Sequence, residues 1–106
     1  YRLPATHVIH TVGPIWRGGG HGEAEVLAAC YTNSIALAAG HGLATIAFPG
    51  IATGTYGYPR DRAADVAVAA VREAVAEHSG IREVIFCAFS EYDLQLYEER
   101  LAADPA

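Results

Sequence analysis

The segment 50–58 (GIATGTYGY) carries the residue types that suit the binding of a phosphate group. Its glycines at positions 50, 54 and 57 permit positive φ angles and let backbone N–H groups approach a ligand closely. Thr53 and Thr55 add hydroxyl donors, and a helix predicted to follow would present its N-terminus to an anion. The segment has neither the lysine of a P-loop nor the spacing of a G-x-G-x-x-G dinucleotide fingerprint. It therefore predicts a backbone cradle for a phosphate or diphosphate.

Two tyrosines in this segment could complete a ligand site. Tyr56 and Tyr58 stand among small residues and offer flat faces for a sugar or a base. The alternative is a tight turn whose glycines serve only the backbone, although such a turn does not need nine residues. A second glycine-rich loop, 13–22, allows two interpretations: another phosphate cradle, or a flexible exposed loop. Trp16 is expected to pack at its base.

The remaining polar residues predict neither catalysis nor metal binding. His7 and His10 face opposite sides of a predicted strand, and no Cys/His spacing typical of a metal site occurs. No serine lies in a nucleophile elbow. The acidic side chains of the helices are expected either to be solvated or to interact favourably with the positive dipole end at a helix N-terminus. They are Glu23, Glu25, Asp61, Asp65, Glu73 and Glu77. For Asp61 and Asp65, contact with a ligand hydroxyl is the alternative. We expect no metal and no cofactor, and the catalytic residues stay unknown.

Strands and helices alternate along the chain. The hydrophobic pattern predicts strands at 7–12, 45–48 and 83–89. It predicts helices at 23–40, from Pro59 through 63–76 to the Ser79-Gly80 pair, and after Ser90. Ser90 and Asp93 form a capping box for the last helix. This β-α-β-α-β-α order predicts the α/β class, with a mostly parallel sheet and helices on both faces. The run 83–89 (EVIFCAF) is predicted to be buried on both faces.

Two sets of apolar residues recur at helical spacing. Leu27, Tyr31 and Ile35 share one face of the first helix, and Leu94, Tyr97 and Leu101 share one face of the last. The second helix has an alanine-rich seam, which predicts close approach to the sheet.

Length and composition narrow the class of protein. With 106 residues the chain is long enough for a single domain, 1–106. A net charge of −5 argues against a nucleic-acid partner, and 52% hydrophobic residues argue against disorder. No apolar run is long enough to span a bilayer. Cys30 and Cys87 lie in apolar stretches, so we expect buried, reduced thiols and a soluble cytoplasmic protein.

Four segments, in one order along nearly the whole chain, resemble the macrodomain family. Residues 1–14 (YRLPATHVIHTVGP) resemble its "LPA…VIHTVGP" strand, and 27–34 (LAACYTNS) resemble its "L…CY.NSL" helix. Residues 46–59 (IAFPGIATGTYGYP) resemble its phosphate loop, and 83–97 resemble its last strand and helix.

The resemblance implies a partial three-layer α/β/α fold and a ligand, ADP-ribose or O-acetyl-ADP-ribose. It implies that the N–H groups of the phosphate loop wrap the diphosphate, that Tyr56 packs beside the distal ribose, and that Phe89 lies against the adenine. The ligand-binding residues expected on this basis are Ile51, Ala52, Thr53, Gly54, Thr55, Tyr56, Gly57 and Phe89.

The subgroup that the sequence resembles, MacroD-type members, deacetylates O-acetyl-ADP-ribose and removes ADP-ribose from acidic side chains of proteins, without a required metal. Its asparagine, aspartate and glycine-rich catalytic loop precede the "LPA" motif. We therefore expect a carboxy-terminal portion of a macrodomain, with catalytic residues upstream of Tyr1. The alternatives are an ADP-ribose reader without catalysis and an unrelated nucleotide-binding α/β domain.

Overall fold

A computed structural model of the chain describes residues 9, 11–49, 51, 56–87 and 90–102. In chain order its elements are α1 (Glu23–Gly40), β1 (Thr45–Phe48), α2 (Arg60–Glu77), β2 (Glu83–Phe86) and α3 (Glu91–Ala102). The two strands pair in parallel, with Thr45 opposite Glu83 and Phe48 opposite Phe86. The predicted α/β class and the parallel sheet are confirmed. Of the predicted first strand, His7, Val8 and His10 lie outside the described residues; Ile9, Thr11 and Val12 are not in a strand.

The helix ends follow from local sequence. Helix α1 ends as predicted, with Gly42 at φ 72° and the N–H of His41 bonded to the carbonyls of Leu37 and Ala38. Pro59 was predicted as the first helical residue of α2, but with ψ 128° it is the residue before the helix. The predicted cap of α3 is confirmed, because the N–H of Asp93 donates to Ser90 Oγ at 3.2 Å.

The core lies between the helices and one face of the sheet. Leu27, Tyr31 and Ile35 are the largest fully buried side chains, as their spacing predicts. They form one cluster with Phe48 and with the alanine row of α2, which packs mainly against α1. The small alanine side chains thus permit close approach of α2 to α1. The predicted close approach of this seam to the sheet is wrong for the described residues, since α2 packs mainly against α1.

The other face of the sheet is exposed within the described part of the chain. Strand β2 ends at Phe86, and Glu83, Ile85 and Cys87 all point to the exposed face. The predicted burial of 83–89 on both faces is therefore wrong for these residues, since the described helices cover only the face of Phe86. For the same reason Cys87 is an exposed free thiol, whereas Cys30 is buried as expected.

Helix α3 contacts the core through a different face from the predicted one. Leu94 and Leu101 are exposed, while Leu96 is buried and Tyr97 stacks on Phe86 at 4.8 Å. On the same helix, Arg100 Nε donates to Asp65 of α2 at 2.6 Å. This pairing argues against a ligand role for Asp65. None of the described helices combines the length and apolar character that a membrane span needs.

Candidate functional site

A surface cavity of about 340 Å³ lies between the loop before α1 and the loop before α2. It is lined by residues 12–15, Arg17, His21, Glu23, Val26 and Tyr56. Val12, Ile15 and Val26 are apolar side chains that stay largely exposed. Apolar walls with a few polar groups are typical of small-molecule sites.

Three of the expected ligand residues are described, and they differ in exposure. Tyr56 is 38% exposed and lines the cavity, whereas the Ile51 side chain is buried. Gly57 has the positive φ, 76°, that the sequence predicts for this loop. The other expected residues, Ala52, Thr53, Gly54, Thr55 and Phe89, lie outside the described part of the chain. Their ligand contacts, like those of the first three, stay predictions.

Tyr58 does not offer its face to a ligand, contrary to the sequence interpretation. It is buried, and its ring lies 4.7 Å from that of Trp16, tilted by 51°. Burial raises the pKa of the Tyr58 phenol, and the negative charges of Glu23 and Glu25 act in the same direction. Of the two tyrosines, only Tyr56 is therefore available to a ligand.

Tyr31 of α1 lies beside Ile51, at the start of the predicted phosphate loop. Burial raises the pKa of Tyr31 far above its ordinary value. The electrostatic environment of its phenol includes the Tyr97 phenol of α3, which raises its pKa, and the backbone N–H of Ile51, which lowers it. The sequence predicts Tyr31 only as a core residue. A buried tyrosine hydroxyl needs a polar partner, and that requirement is the signal that could have suggested a second role.

Glu23 organises the glycine-rich loop before α1. Its Oε2 accepts the backbone N–H groups of Arg17 at 2.8 Å and Gly19 at 2.9 Å, and its Oε1 accepts that of His21 at 2.7 Å. Glycines 18 and 19 both have φ 92°, which lets the chain wrap around the carboxylate. The loop is thus an anion cradle whose anion is Glu23 itself. The solvated alternative is wrong for this residue, which is 3% exposed at the first turn of α1.

The electrostatics of Glu23 follow from these bonds. Burial alone tends to raise the pKa of the carboxyl group. The N–H groups of Arg17, Gly19 and His21 stabilise the charged form more strongly and lower the pKa from 4.5 to about 2. Glu23 is therefore ionised at neutral pH.

This pKa predicts a pH dependence of stability. A carboxylate whose pKa is lowered by folding stabilises the chain fully above pH 4.5, and that stabilisation is lost as the pH falls toward 2. We expect the difference in free energy of unfolding between the chain and its E23Q variant to be constant near neutral pH and to shrink between pH 4.5 and 2. Urea unfolding of both proteins across this range measures it. A difference that does not change with pH would contradict the assignment.

Trp16 joins the two loops that border the cavity. Its backbone N–H donates to the backbone carbonyl of Tyr56 at 2.9 Å, and the Arg62 guanidinium lies 5.7 Å from the centre of its ring. As predicted, the ring packs at the base of the glycine-rich loop, where a Cβ on Gly19 would lie 2.9 Å from it. The two loops therefore form one connected structure. In the described ranges no cluster of His, Cys, Asp and Glu suits a metal ion.

Comparison with known proteins identifies relatives of the chain. The family model of the Macro domain matches residues 1–67. A macro domain-containing protein of Chlorobaculum tepidum is 61% identical over 103 residues, 97% of this chain and 60% of that protein. An O-acetyl-ADP-ribose deacetylase of Citrobacter rodentium is 48% identical over 100 residues, 94% of this chain and 56% of that protein.

A solved structure extends the likeness to the fold. The Trypanosoma brucei macrodomain in complex with ADP-ribose has a TM-score of 0.85 and 35% identity, covering 96% of this chain and 42% of that one. The chain spans 56–60% of the length of these two curated relatives.

Proposed function

The chain belongs to the macro domain family, and from that premise we propose that it binds ADP-ribose in the cavity bordered by Tyr56. In this proposal the backbone N–H groups of 52–57 hold the diphosphate, Tyr56 packs beside the distal ribose and Phe89 lies against the adenine. The chain is related to O-acetyl-ADP-ribose deacetylases and to macrodomains that bind ADP-ribose.

The observation that carries the proposal is the position of Tyr56. It is the aromatic residue of the predicted phosphate loop, and its ring is half-exposed at a cavity of about 340 Å³. Gly57, with φ 76°, turns the chain directly behind it, and α2 begins three residues later at Arg60. A helix N-terminus close to the loop favours a negatively charged group there.

We further propose that the activity belongs to the hydrolase subgroup: deacetylation of O-acetyl-ADP-ribose, removal of mono-ADP-ribose from acidic side chains of proteins, or both. The relative named an O-acetyl-ADP-ribose deacetylase supports this activity. In deacetylation, water cleaves the acetyl ester and yields ADP-ribose and acetate. No residue of this chain is assigned as catalytic. Chromatographic separation of ADP-ribose from O-acetyl-ADP-ribose distinguishes turnover from binding alone.

Replacement of Tyr56 by alanine tests the binding site. Loss of a well-placed aromatic contact at a binding site costs about 1–2 kcal/mol, so we expect the Kd for ADP-ribose to rise about tenfold. Isothermal titration calorimetry measures the change. Tyr92→Ala is the matched control, because Tyr92 is an exposed tyrosine on α3 and does not line the cavity. Equal affinity of Y56A and the unmodified chain would contradict the proposed site.

A further inference from the structure

Glu23 is a buried acid that the proposed ligand contacts do not use. Its carboxylate lies at the cavity wall and accepts three N–H groups, from Arg17, Gly19 and His21. These donors come from the loop before α1, so the carboxylate does more than favour a helix N-terminus. The carboxylate therefore binds every second residue of this loop. Two of the three donor residues, Arg17 and His21, also line the cavity.

The restraint continues from the loop to the phosphate-loop side of the cavity. Gly19, which Glu23 holds, lies against the ring of Trp16. The backbone N–H of Trp16 in turn donates to the carbonyl of Tyr56 at 2.9 Å. A continuous path of short contacts therefore joins Glu23 to the backbone of the residue proposed to contact the distal ribose.

We propose that Glu23 is a positioning residue of the ligand site, which fixes the glycine-rich wall of the cavity and, through Trp16, the backbone of Tyr56. The proposal rests on the proposed function, because it assigns the ligand to the Tyr56 side of this cavity. A glutamine cannot replace Glu23, since both carboxylate oxygens accept N–H groups and an amide NH₂ offers a donor in place of one acceptor.

The test compares E23Q with E25Q. Glu25 lies in the same first turn of α1, carries the same charge, is exposed and does not line the cavity. Trp16 is the single tryptophan of the chain, so its fluorescence reports this loop alone. We expect E23Q to shift the Trp16 emission to longer wavelength and to weaken ADP-ribose binding about tenfold, as loss of charge-assisted hydrogen bonds predicts. E25Q should change neither.

The outcomes separate a positioning role from a structural one. If E23Q lowers the melting temperature but leaves the Trp16 emission and the Kd unchanged, Glu23 only stabilises the fold and the proposal is overturned. If E23Q gives no cooperative melt, the E23D variant is measured instead. Aspartate keeps the negative charge, but its side chain is one methylene group shorter. A folded E23D chain with weaker ADP-ribose binding supports the proposal, and wild-type affinity overturns it.

Binding of ADP-ribose by the unmodified chain tests the proposed function separately from the role of Glu23. If the unmodified chain does not bind ADP-ribose, the proposed function is wrong. The Trp16 emission of E23Q and E25Q then still shows whether Glu23 fixes the glycine-rich wall.

Discussion

Replacement of Tyr31 by phenylalanine should lower the free energy of unfolding by about 1–3 kcal/mol, the cost of leaving a buried polar group without its partner. The Tyr31 phenol interacts with the Tyr97 phenol and with the backbone N–H of Ile51, and the Tyr31 side chain is only 1% exposed. Replacement by alanine also removes a ring that lies 4.8 Å from Phe48, so about 3–5 kcal/mol should be lost.

Urea unfolding, followed by far-UV circular dichroism, measures both variants. Tyr92→Phe is the matched control: the same hydroxyl is removed from a tyrosine that is exposed on α3, and the change should be below about 0.5 kcal/mol. Equal stability of Y31F and the unmodified chain would contradict a stabilising interaction of the Tyr31 phenol with Tyr97 and the Ile51 N–H. Because Ile51 opens the predicted phosphate loop, we also expect Y31F to weaken ADP-ribose binding more than Y92F does.

The sequence predicts secondary structure well where local signals are strong. Helix α1 and strand β1 have the predicted bounds. A glycine ends α1, and a Pro-Gly pair follows β1. It predicts burial poorly where burial depends on tertiary contacts. Leu94 and Leu96 have the same apolar side chain, and the packing of α3 on α2 and Phe86, which the local sequence does not specify, makes Leu96 the buried one.

The candidate site shows the same division. Glycine content and the order of residues in 50–58 suffice to predict a phosphate loop with an aromatic residue at Tyr56. They do not distinguish Tyr56 from Tyr58, because the difference arises from Trp16, which comes from another loop and covers Tyr58. The cradle around Glu23 is not predicted for a related reason: a carboxylate at the first turn of a helix usually faces solvent. Here the loop wraps around it through glycines with positive φ, Gly18, Gly19 and Gly22.

The three successive glycines at 18–20 should respond differently to the same substitution. Gly20 has no neighbour within 4 Å of an added Cβ and no positive φ, so Gly20→Ala should change the free energy of unfolding by less than about 0.5 kcal/mol. Gly18 has equal space but φ 92°, and Gly18→Ala should cost about 1–2 kcal/mol through backbone strain alone.

Gly19→Ala adds a steric clash to the same strain. With φ 92°, its Cβ would lie 2.9 Å from Cη2 of Trp16, whose ring also lies 4.7 Å from that of Tyr58. We expect a loss of about 2–5 kcal/mol, the sum of strain and overpacking, together with a shift of the Trp16 emission that Gly18→Ala does not produce. Urea unfolding and Trp16 fluorescence of the three variants test whether the loss of stability increases from Gly20→Ala to Gly18→Ala to Gly19→Ala. Equal effects of Gly18→Ala and Gly19→Ala would show that Trp16 moves aside freely, and would contradict its role as the rigid joint between the two loops.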